Sequence, residues 1–123
     1  MMNKKPLILI CDDEPGVRES LKVILEDDYR IIEADNGEGM LAQARSEKPA
    51  LILLDVKMPR LNGLEALKTL KSEQPKSKVI MISGYESVDV ASQAMRLGAD
   101  DYMVKPFDKE TVLLKAGKFA GGV

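Results

Sequence analysis

Apolar and polar positions along this chain alternate between two kinds of segment. Short, mostly apolar segments of four or five residues occur five times, as is typical of buried strands. They are Leu7–Cys11, Arg30–Ala34, Ala50–Leu54, Val79–Ile82 and Asp101–Val104. After each of them, apolar residues recur at the spacing of one helix face, for example at Val17, Leu21, Ile24 and Leu25. The pattern therefore predicts five repeats of a strand followed by a helix.

Several residues mark where these helices begin and end. Pro15 favours the start of the first helix, and Asp108 is a suitable cap for the last. The second helix is predicted over 39–46, after a turn at 35–37. Gly98 is predicted to end the fourth helix, since glycine readily takes the left-handed backbone conformation found there.

The strands indicate the fold class. Continuous apolar strands are covered on both faces, which is typical of a parallel sheet with helices on either side. We therefore predict an α/β fold, a doubly wound (βα)5 domain over residues 1–123, with no internal linker. Right-handed crossovers bring the carboxyl ends of all strands to one edge, and ligands bind beyond that edge.

Polar residues stand at the carboxyl ends of four of the five predicted strands. They are Asp12, Asp13 and Glu14 after the first strand, Asp55 after the third, Ser83 after the fourth and Lys105 after the fifth. Two carboxylates about 4 Å apart repel each other by about 4 kcal/mol at an effective dielectric of 20, so the cluster must protonate, pair or bind a cation. Oxygen ligands favour a hard cation such as Mg²⁺. An aspartate beside Mg²⁺ and a lysine is equipped to attack phosphorus.

Composition narrows the classes of function. The chain has 123 residues, of which 45% are apolar, with a net charge of −2 and no histidine or tryptophan. The absence of histidine excludes Ser-His-Asp and Cys-His catalysis. The mild acidity argues against direct contact with nucleic acid, and no apolar run is long enough for a membrane span. The single Cys11 cannot form an internal disulfide, which fits a cytoplasmic protein.

The sequence resembles the receiver domain of two-component response regulators. The resemblance rests on six motifs that occur in order along nearly the whole chain. These are Asp12-Asp13-Glu14, Asp55 within 53–59, Asn62-Gly63, Ser83-Gly84, 98–102 (Gly-Ala-Asp-Asp-Tyr) and Lys105-Pro106-Phe107. The resemblance implies a flavodoxin-like sheet with strand order 2-1-3-4-5.

The resemblance also implies roles for the residues of the acidic cluster. Asp55 would accept a phosphoryl group from a sensor histidine kinase, and Lys105 would contact that group. The metal would be Mg²⁺, with Mn²⁺ as a substitute, held by Asp55, by Asp13 directly, by Asp12 through water and by the backbone carbonyl of Lys57. Such a chain is a signalling phosphoacceptor that assists only its own phosphorylation and dephosphorylation, and is not an enzyme.

A conformational switch is the other implication of the resemblance. Ser83 would move to bond the phosphoryl group, and Tyr102 would swing inward behind it. The surface of the fourth helix, fifth strand and fifth helix would then bind an output domain, a target protein or a second receiver as a homodimer. Lys57 and Tyr85 flank the expected approach of water and would tune the lifetime of the phosphoryl group.

Other interpretations remain open from the residues alone. The acidic residues at 12–14 are also suited to the N-terminal end of a helix. A degenerate receiver would bind partners without phosphorylation. A small aspartyl-phosphate phosphatase needs an Asp-x-Asp pair, whereas Asp55 is followed by Val56 and Lys57. A flavin-binding electron carrier needs a phosphate loop after the first strand, where Asp12 and Asp13 would repel phosphate. The chain is also compatible with the N-terminal part of a longer regulator.

Overall fold

Strands and helices alternate along the chain in the computed structural model, which describes residues 5–58, 61–84 and 88–121. In chain order the elements are β1 (Leu7–Cys11), α1 (Pro15–Leu25), β2 (Arg30–Ala34), α2 (Gly37–Glu47), β3 (Leu51–Asp55), α3 (Gly63–Glu73), β4 (Val79–Ser83), α4 (Val88–Arg96), β5 (Asp101–Val104) and α5 (Lys109–Ala120). The predicted succession of five strand–helix repeats is confirmed.

The strands form one parallel sheet in the order β2-β1-β3-β4-β5, as the resemblance implied. Each face of the sheet has its own buried apolar cluster. Along β1, Leu9 and Cys11 belong to one cluster, while Ile8 and Ile10 belong to the other. Side chains alternate between the two faces of a strand, so a run of apolar residues supplies both clusters at once. The prediction that helices cover both faces is therefore confirmed.

The predicted bounds of three elements need correction, and the smallest change is in strand β4, which covers Val79–Ser83 rather than Val79–Ile82. Helix α2 begins at Gly37 rather than residue 39, because the Asn36 side chain accepts a hydrogen bond from the Gly39 N–H at 2.7 Å and caps the helix. Strand β3 covers Leu51–Asp55 rather than Ala50–Leu54. Asp55 is therefore the last residue of the central strand, paired in register with Ile82 of β4.

The start of α3 lies tightly against the backbone at the end of β3. The Gly63 N–H donates to the Val56 carbonyl at 2.8 Å, and the Asn62 side chain caps α3 by accepting the Glu65 N–H at 3.0 Å. A Cβ at position 63 would lie 2.0 Å from the Asp55 carbonyl oxygen. Only glycine permits this approach, so Gly63 helps to set the position of the Asp55 backbone.

At the opposite edge of the sheet, the Asp100 side chain connects the start of β4 with α3. Its carboxylate accepts the Val79 N–H at 2.9 Å and the Lys71 ammonium at 3.3 Å. The stem of Lys71 also covers Gly98, which ends the α4 region with a φ of +106°, in agreement with the predicted stop. These contacts anchor the beginnings of β4 and β5. Within the three described ranges, no helix is long and apolar enough to cross a membrane.

Candidate functional site

Buried polar side chains concentrate at the edge of the sheet where the strands end. Among the described residues, the buried polar or charged ones are Asp12, Asp55 and Ser83, each at most 5% exposed. They lie at or just beyond the ends of β1, β3 and β4. Burying a carboxylate costs free energy unless it is paired or binds a cation. This edge of the sheet is therefore the candidate functional site.

Asp12 is held by its backbone and by its side chain. Its N–H donates to the Ala34 carbonyl at 3.1 Å, and its carbonyl accepts the Arg18 guanidinium at 2.7 Å. Its Oδ1 accepts the Glu14 N–H at 2.9 Å at the start of α1. One oxygen of Asp12, Oδ1, therefore interacts with the N-terminal end of a helix, as the alternative interpretation expected. The other oxygen, Oδ2, faces Lys105.

Lys105 supplies the positive charge of the site. Its Nζ lies 3.0 Å from Asp12 Oδ2, 3.0 Å from Glu14 Oε1 and 3.6 Å from Asp55 Oδ1. Burial alone would lower the pKa of Lys105, but the bonds to Asp12 and Glu14 and the charge of Asp55 outweigh it and raise the pKa. The ammonium therefore stays charged in the physiological range. The Lys105–Pro106 peptide bond that follows is cis.

Asp55 has a strongly perturbed carboxyl group. Burial raises its pKa from 3.8 to about 6, and the charge of Asp12 acts in the same direction. The Lys105 ammonium and a hydrogen bond from the Lys57 N–H oppose this rise, while Asp13 adds to it. The carboxylate is thus ionised at neutral pH but destabilised, as expected of a group prepared to bind a cation or to react.

The acidic residues fit a hard divalent cation. One carboxylate oxygen from each of Asp12, Asp13 and Asp55 lies within 4.8 Å of the others. Asp12 Oδ2 is buried and lies 3.0 Å from the Lys105 ammonium, and this ion pair leaves a lone pair of the oxygen for a ligand. An all-oxygen set that contains exposed Asp13 suits Mg²⁺, which retains several waters.

Two surface depressions adjoin this acidic cluster and meet at Asp13. One lies between Asp13 and the loop after β3, and Lys57 and Asn62 line it. The other lies between α1 and the segment from Lys105 to Phe107. The exposed Lys57 is therefore close to the side of the cluster from which solvent reaches Asp13. Tyr85, the other residue predicted to tune the phosphoryl lifetime, is outside the described residues.

Ser83 and Tyr102 lie on the two strands next to the acidic cluster. Ser83 is the last residue of β4, and its carbonyl accepts the Lys105 N–H at 2.7 Å. Tyr102 is half-buried on β5 and packs against the apolar cluster that includes Met81, its register partner.

Cys11, the residue before Asp12, is buried in the same apolar cluster. Its Sγ lies 3.4 Å from the Met58 sulfur, and burial raises the pKa of its thiol. It packs as an apolar residue.

Sequence reasoning missed Arg18, and it placed Glu14 at this edge without assigning it a role. Glu14 shares the Lys105 ammonium with Asp12, and Arg18 of α1 bonds the Asp12 carbonyl and Glu33. Both residues are charged positions in or beside a helix, which usually face solvent. The one available signal is that Arg18 stands one helical turn after Glu14, on the end of α1 that faces the acidic cluster.

Comparison with known proteins identifies relatives along nearly the whole chain. The family model for the response regulator receiver domain matches residues 8–116. The chain is 40% identical over 112 residues to the alkaline phosphatase synthesis transcriptional regulatory protein PhoP of Bacillus subtilis, a match that covers 90% of this chain and 46% of PhoP. It is 37% identical over 113 residues to the sporulation initiation phosphotransferase F of the same bacterium, covering 91% and 90% of the two chains.

A solved structure agrees with these sequence matches. The crystal structure of the receiver domain of NtrX from Brucella abortus superimposes with a TM-score of 0.87 at 34% identity, over 92% of this chain and 97% of that one. The chain spans about half the length, or less, of several curated relatives that it matches, and nearly the full length of others.

Proposed function

Since this chain belongs to the family of response regulator receiver domains of two-component systems, we propose that Asp55 is its phosphoacceptor. The observation that carries this assignment is the position of Asp55. It is a buried carboxylate at the end of the central strand, 3.6 Å from a buried lysine and grouped with two further carboxylates. Receiver domains are signalling domains that interact with histidine kinases and output domains.

The other two aspartates are less suited to accept a phosphoryl group. Asp12 has one oxygen bonded to the Glu14 N–H and the other against Lys105, so attack by Asp12 would break both contacts. Asp13 is exposed and lacks the desolvation that makes a carboxylate reactive. Asp55 combines burial with the adjacent Lys105 ammonium, which is well placed to neutralise charge that develops on a phosphoryl oxygen.

Receiver domains generally bind Mg²⁺ through an aspartate cluster, and we assign that role here to Asp12, Asp13 and Asp55, together with the carbonyl of Lys57. A bound Mg²⁺ supplies positive charge that neutralises the acidic cluster and the phosphoryl oxygens. In the transfer step, an Asp55 oxygen attacks the phosphorus of a phosphohistidine on the kinase, and the phosphorus–nitrogen bond breaks. Lys105 exchanges part of its contact with Asp12 and Glu14 for a phosphoryl oxygen.

The readout of phosphorylation is assigned to Ser83 and Tyr102. The Ser83 hydroxyl bonds the phosphoryl group, and Tyr102 moves inward on β5. The surface formed by α4, β5 and α5 then changes and binds an output domain, a target protein or a second copy of the chain. Met95 of α4 and Leu114 of α5 are apolar side chains that are 49% and 75% exposed.

The wider context follows from the same proposal. Residues 1–123 act as the receiver unit of a regulator in the cytoplasm, with a sensor histidine kinase upstream. The domain assists its own phosphorylation and dephosphorylation through Lys105 and Ser83, and Lys57 and Tyr85 tune the lifetime of the phosphoryl group. It contacts neither nucleic acid nor membrane itself.

The proposal is tested by intact mass spectrometry after incubation with acetyl phosphate. We expect the wild-type protein to gain one phosphoryl group only when Mg²⁺ is present, and hydroxylamine to remove it. The variant Asp55→Asn gains nothing. The matched control is Asp35→Asn, because Asp35 is an exposed aspartate just after β2, at the same edge of the sheet, and this variant is phosphorylated normally.

Two results would contradict the proposal. If Asp55→Asn gains the phosphoryl group as well as the wild type does, the acceptor is a different residue. If the wild-type protein gains none from acetyl phosphate or from any phosphorylated histidine kinase offered to it, the chain is a degenerate receiver that binds partners without phosphorylation.

A further inference from the structure

Arg18 connects α1, β2 and the loop after β1 beside the acidic cluster. It lies on α1, and its side chain is only 19% exposed. Its Nη1 donates to the backbone carbonyl of Asp12 at 2.7 Å, and its Nε donates to Glu33 Oε1 of β2 at 3.1 Å. The guanidinium is a rigid planar fork, so two contacts in different directions fix its position.

The bond to the Asp12 carbonyl has a consequence for the next residue. That carbonyl belongs to the peptide unit joining Asp12 to Asp13, and a peptide unit is planar. Asp12 is also held by two further hydrogen bonds: its N–H donates to the Ala34 carbonyl, and its Oδ1 accepts the Glu14 N–H. Because Arg18 bonds the Asp12 carbonyl, the orientation of the peptide unit before Asp13 is fixed. The direction in which the Asp13 side chain projects from the backbone is then fixed as well.

We propose that Arg18 is a positioning residue that directs the Asp13 carboxylate toward the metal site, and that Glu33 holds Arg18 in place. The inference rests on the proposed function, because it takes Asp13 as a ligand of the divalent cation. Partners that orient a ligand from behind typically contribute a factor of about 10–100 to metal affinity.

This role is distinguishable from that of a simple nearby charge. A positive charge beside the cluster repels a divalent cation, so electrostatics alone predicts tighter Mg²⁺ binding when Arg18 is removed. Loss of positioning predicts weaker binding, since Asp13 then samples directions that do not face the site. The two explanations therefore differ in the sign of the effect.

The test is the dissociation constant for Mg²⁺, measured by isothermal titration calorimetry on metal-free protein. We expect Arg18→Met, which keeps a side chain of similar length without donors or charge, to bind Mg²⁺ about tenfold more weakly than the wild type. We expect Arg18→Lys, which keeps one donor group but lacks the fork, to lie between the two.

Arg45→Met is the matched control. Arg45 also pairs with a glutamate, Glu73, through two contacts of 2.9 Å, but it lies in the last turn of α2, toward the opposite edge of the sheet. It should bind Mg²⁺ like the wild type. Circular dichroism melts of each variant show that the titrated protein is folded.

Asp13→Asn, measured in parallel, separates failure of the inference from failure of the proposed function. If the wild type binds Mg²⁺, Asp13→Asn binds it weakly and Arg18→Met binds as tightly as the wild type or more tightly, the positioning role is wrong and the metal site stands. If the wild type does not bind Mg²⁺, or Asp13→Asn binds it normally, the metal site assigned to Asp13 is wrong, and the inference falls with it.

Discussion

Replacing Asp55 by asparagine should stabilise the metal-free protein while removing the proposed phosphoacceptor. At neutral pH the Asp55 carboxylate is ionised in a buried position where burial and Asp12 both disfavour its charge. Asparagine has nearly the same shape but no charge. The variant therefore removes an unfavourable charge from the folded state at little steric cost.

The magnitude follows from the pKa. Folding raises the pKa of Asp55 from 3.8 to about 6, and each pH unit corresponds to about 1.4 kcal/mol. The ionised carboxylate thus lowers the free energy of unfolding by about 3 kcal/mol at pH 7, as an upper limit. An amide is an imperfect substitute for a protonated carboxyl, so we expect a gain of about 1–3 kcal/mol. For a domain of this size, that raises the melting temperature by about 4–12 °C.

The dependence on pH provides an internal check. Protonated Asp55 contributes stability that is fully present below pH 3.8 and is lost as the pH rises through about 6. The difference in melting temperature between Asp55→Asn and the wild type should therefore be largest above pH 6 and should decrease as the pH falls to 4. Added Mg²⁺ should also narrow it, because a ligand of the folded state stabilises the wild type more.

The assay is thermal unfolding followed by circular dichroism, with a chelator present, at several pH values between 4 and 8. Asp27→Asn is the control, because Asp27 is an exposed aspartate in the turn after α1 and its replacement should leave the melting temperature unchanged. If Asp55→Asn melts at or below the wild-type temperature at pH 7, or if its gain does not change with pH, the reasoning about the buried charge is wrong.

Three further substitutions test other parts of the structure in the same unfolding assay. Gly63→Ala should lower the free energy of unfolding by more than about 2 kcal/mol, because its Cβ would lie 2.0 Å from the Asp55 carbonyl oxygen. The control Gly117→Ala on α5, with open space around it, should raise the free energy of unfolding by about 0.5–1 kcal/mol, and equal effects of the two substitutions would contradict the close approach at Gly63. Tyr29→Phe should be neutral or stabilising by up to about 1 kcal/mol, because it removes a buried hydroxyl without a hydrogen-bond partner among the described residues; a large loss would reveal a partner. Lys105→Met should destabilise the metal-free protein by about 2 kcal/mol or more, since it leaves buried carboxylates without their cation; an unchanged melting temperature would show that the ion pairs contribute nothing.

The order of strands and helices was readable from the sequence because it depends on local patterns. Apolar runs and helical spacing are properties of neighbouring residues, and the parallel sheet follows from strands that are apolar on both faces. The error at the start of α2 has a local cause as well. Asn36 was interpreted as part of a turn, whereas its side chain caps α2 and starts the helix two residues earlier.

The composition of the acidic edge was also predictable, since every parallel strand ends on the same side of the sheet. That topological rule brings Asp12, Asp13, Asp55 and Lys105 together before any coordinates are known, and the structure places them as a group. The roles assigned to Ser83, Tyr102 and the metal ligands stay predictions.

Local patterns in the sequence are sufficient to predict the order of the elements and the meeting of Asp12, Asp13, Asp55 and Lys105 at one edge, whereas the pairing of these side chains depends on the three-dimensional packing. Lys105 lies nearer to Asp12 and Glu14 than to Asp55, and Arg18 reaches the carbonyl before Asp13. Distances of this kind join groups on different elements and depend on register, twist and the packing of helices against the sheet. Local periodicity carries no information about them, because the same pattern of apolar residues is compatible with shifts of several ångströms between one element and the next.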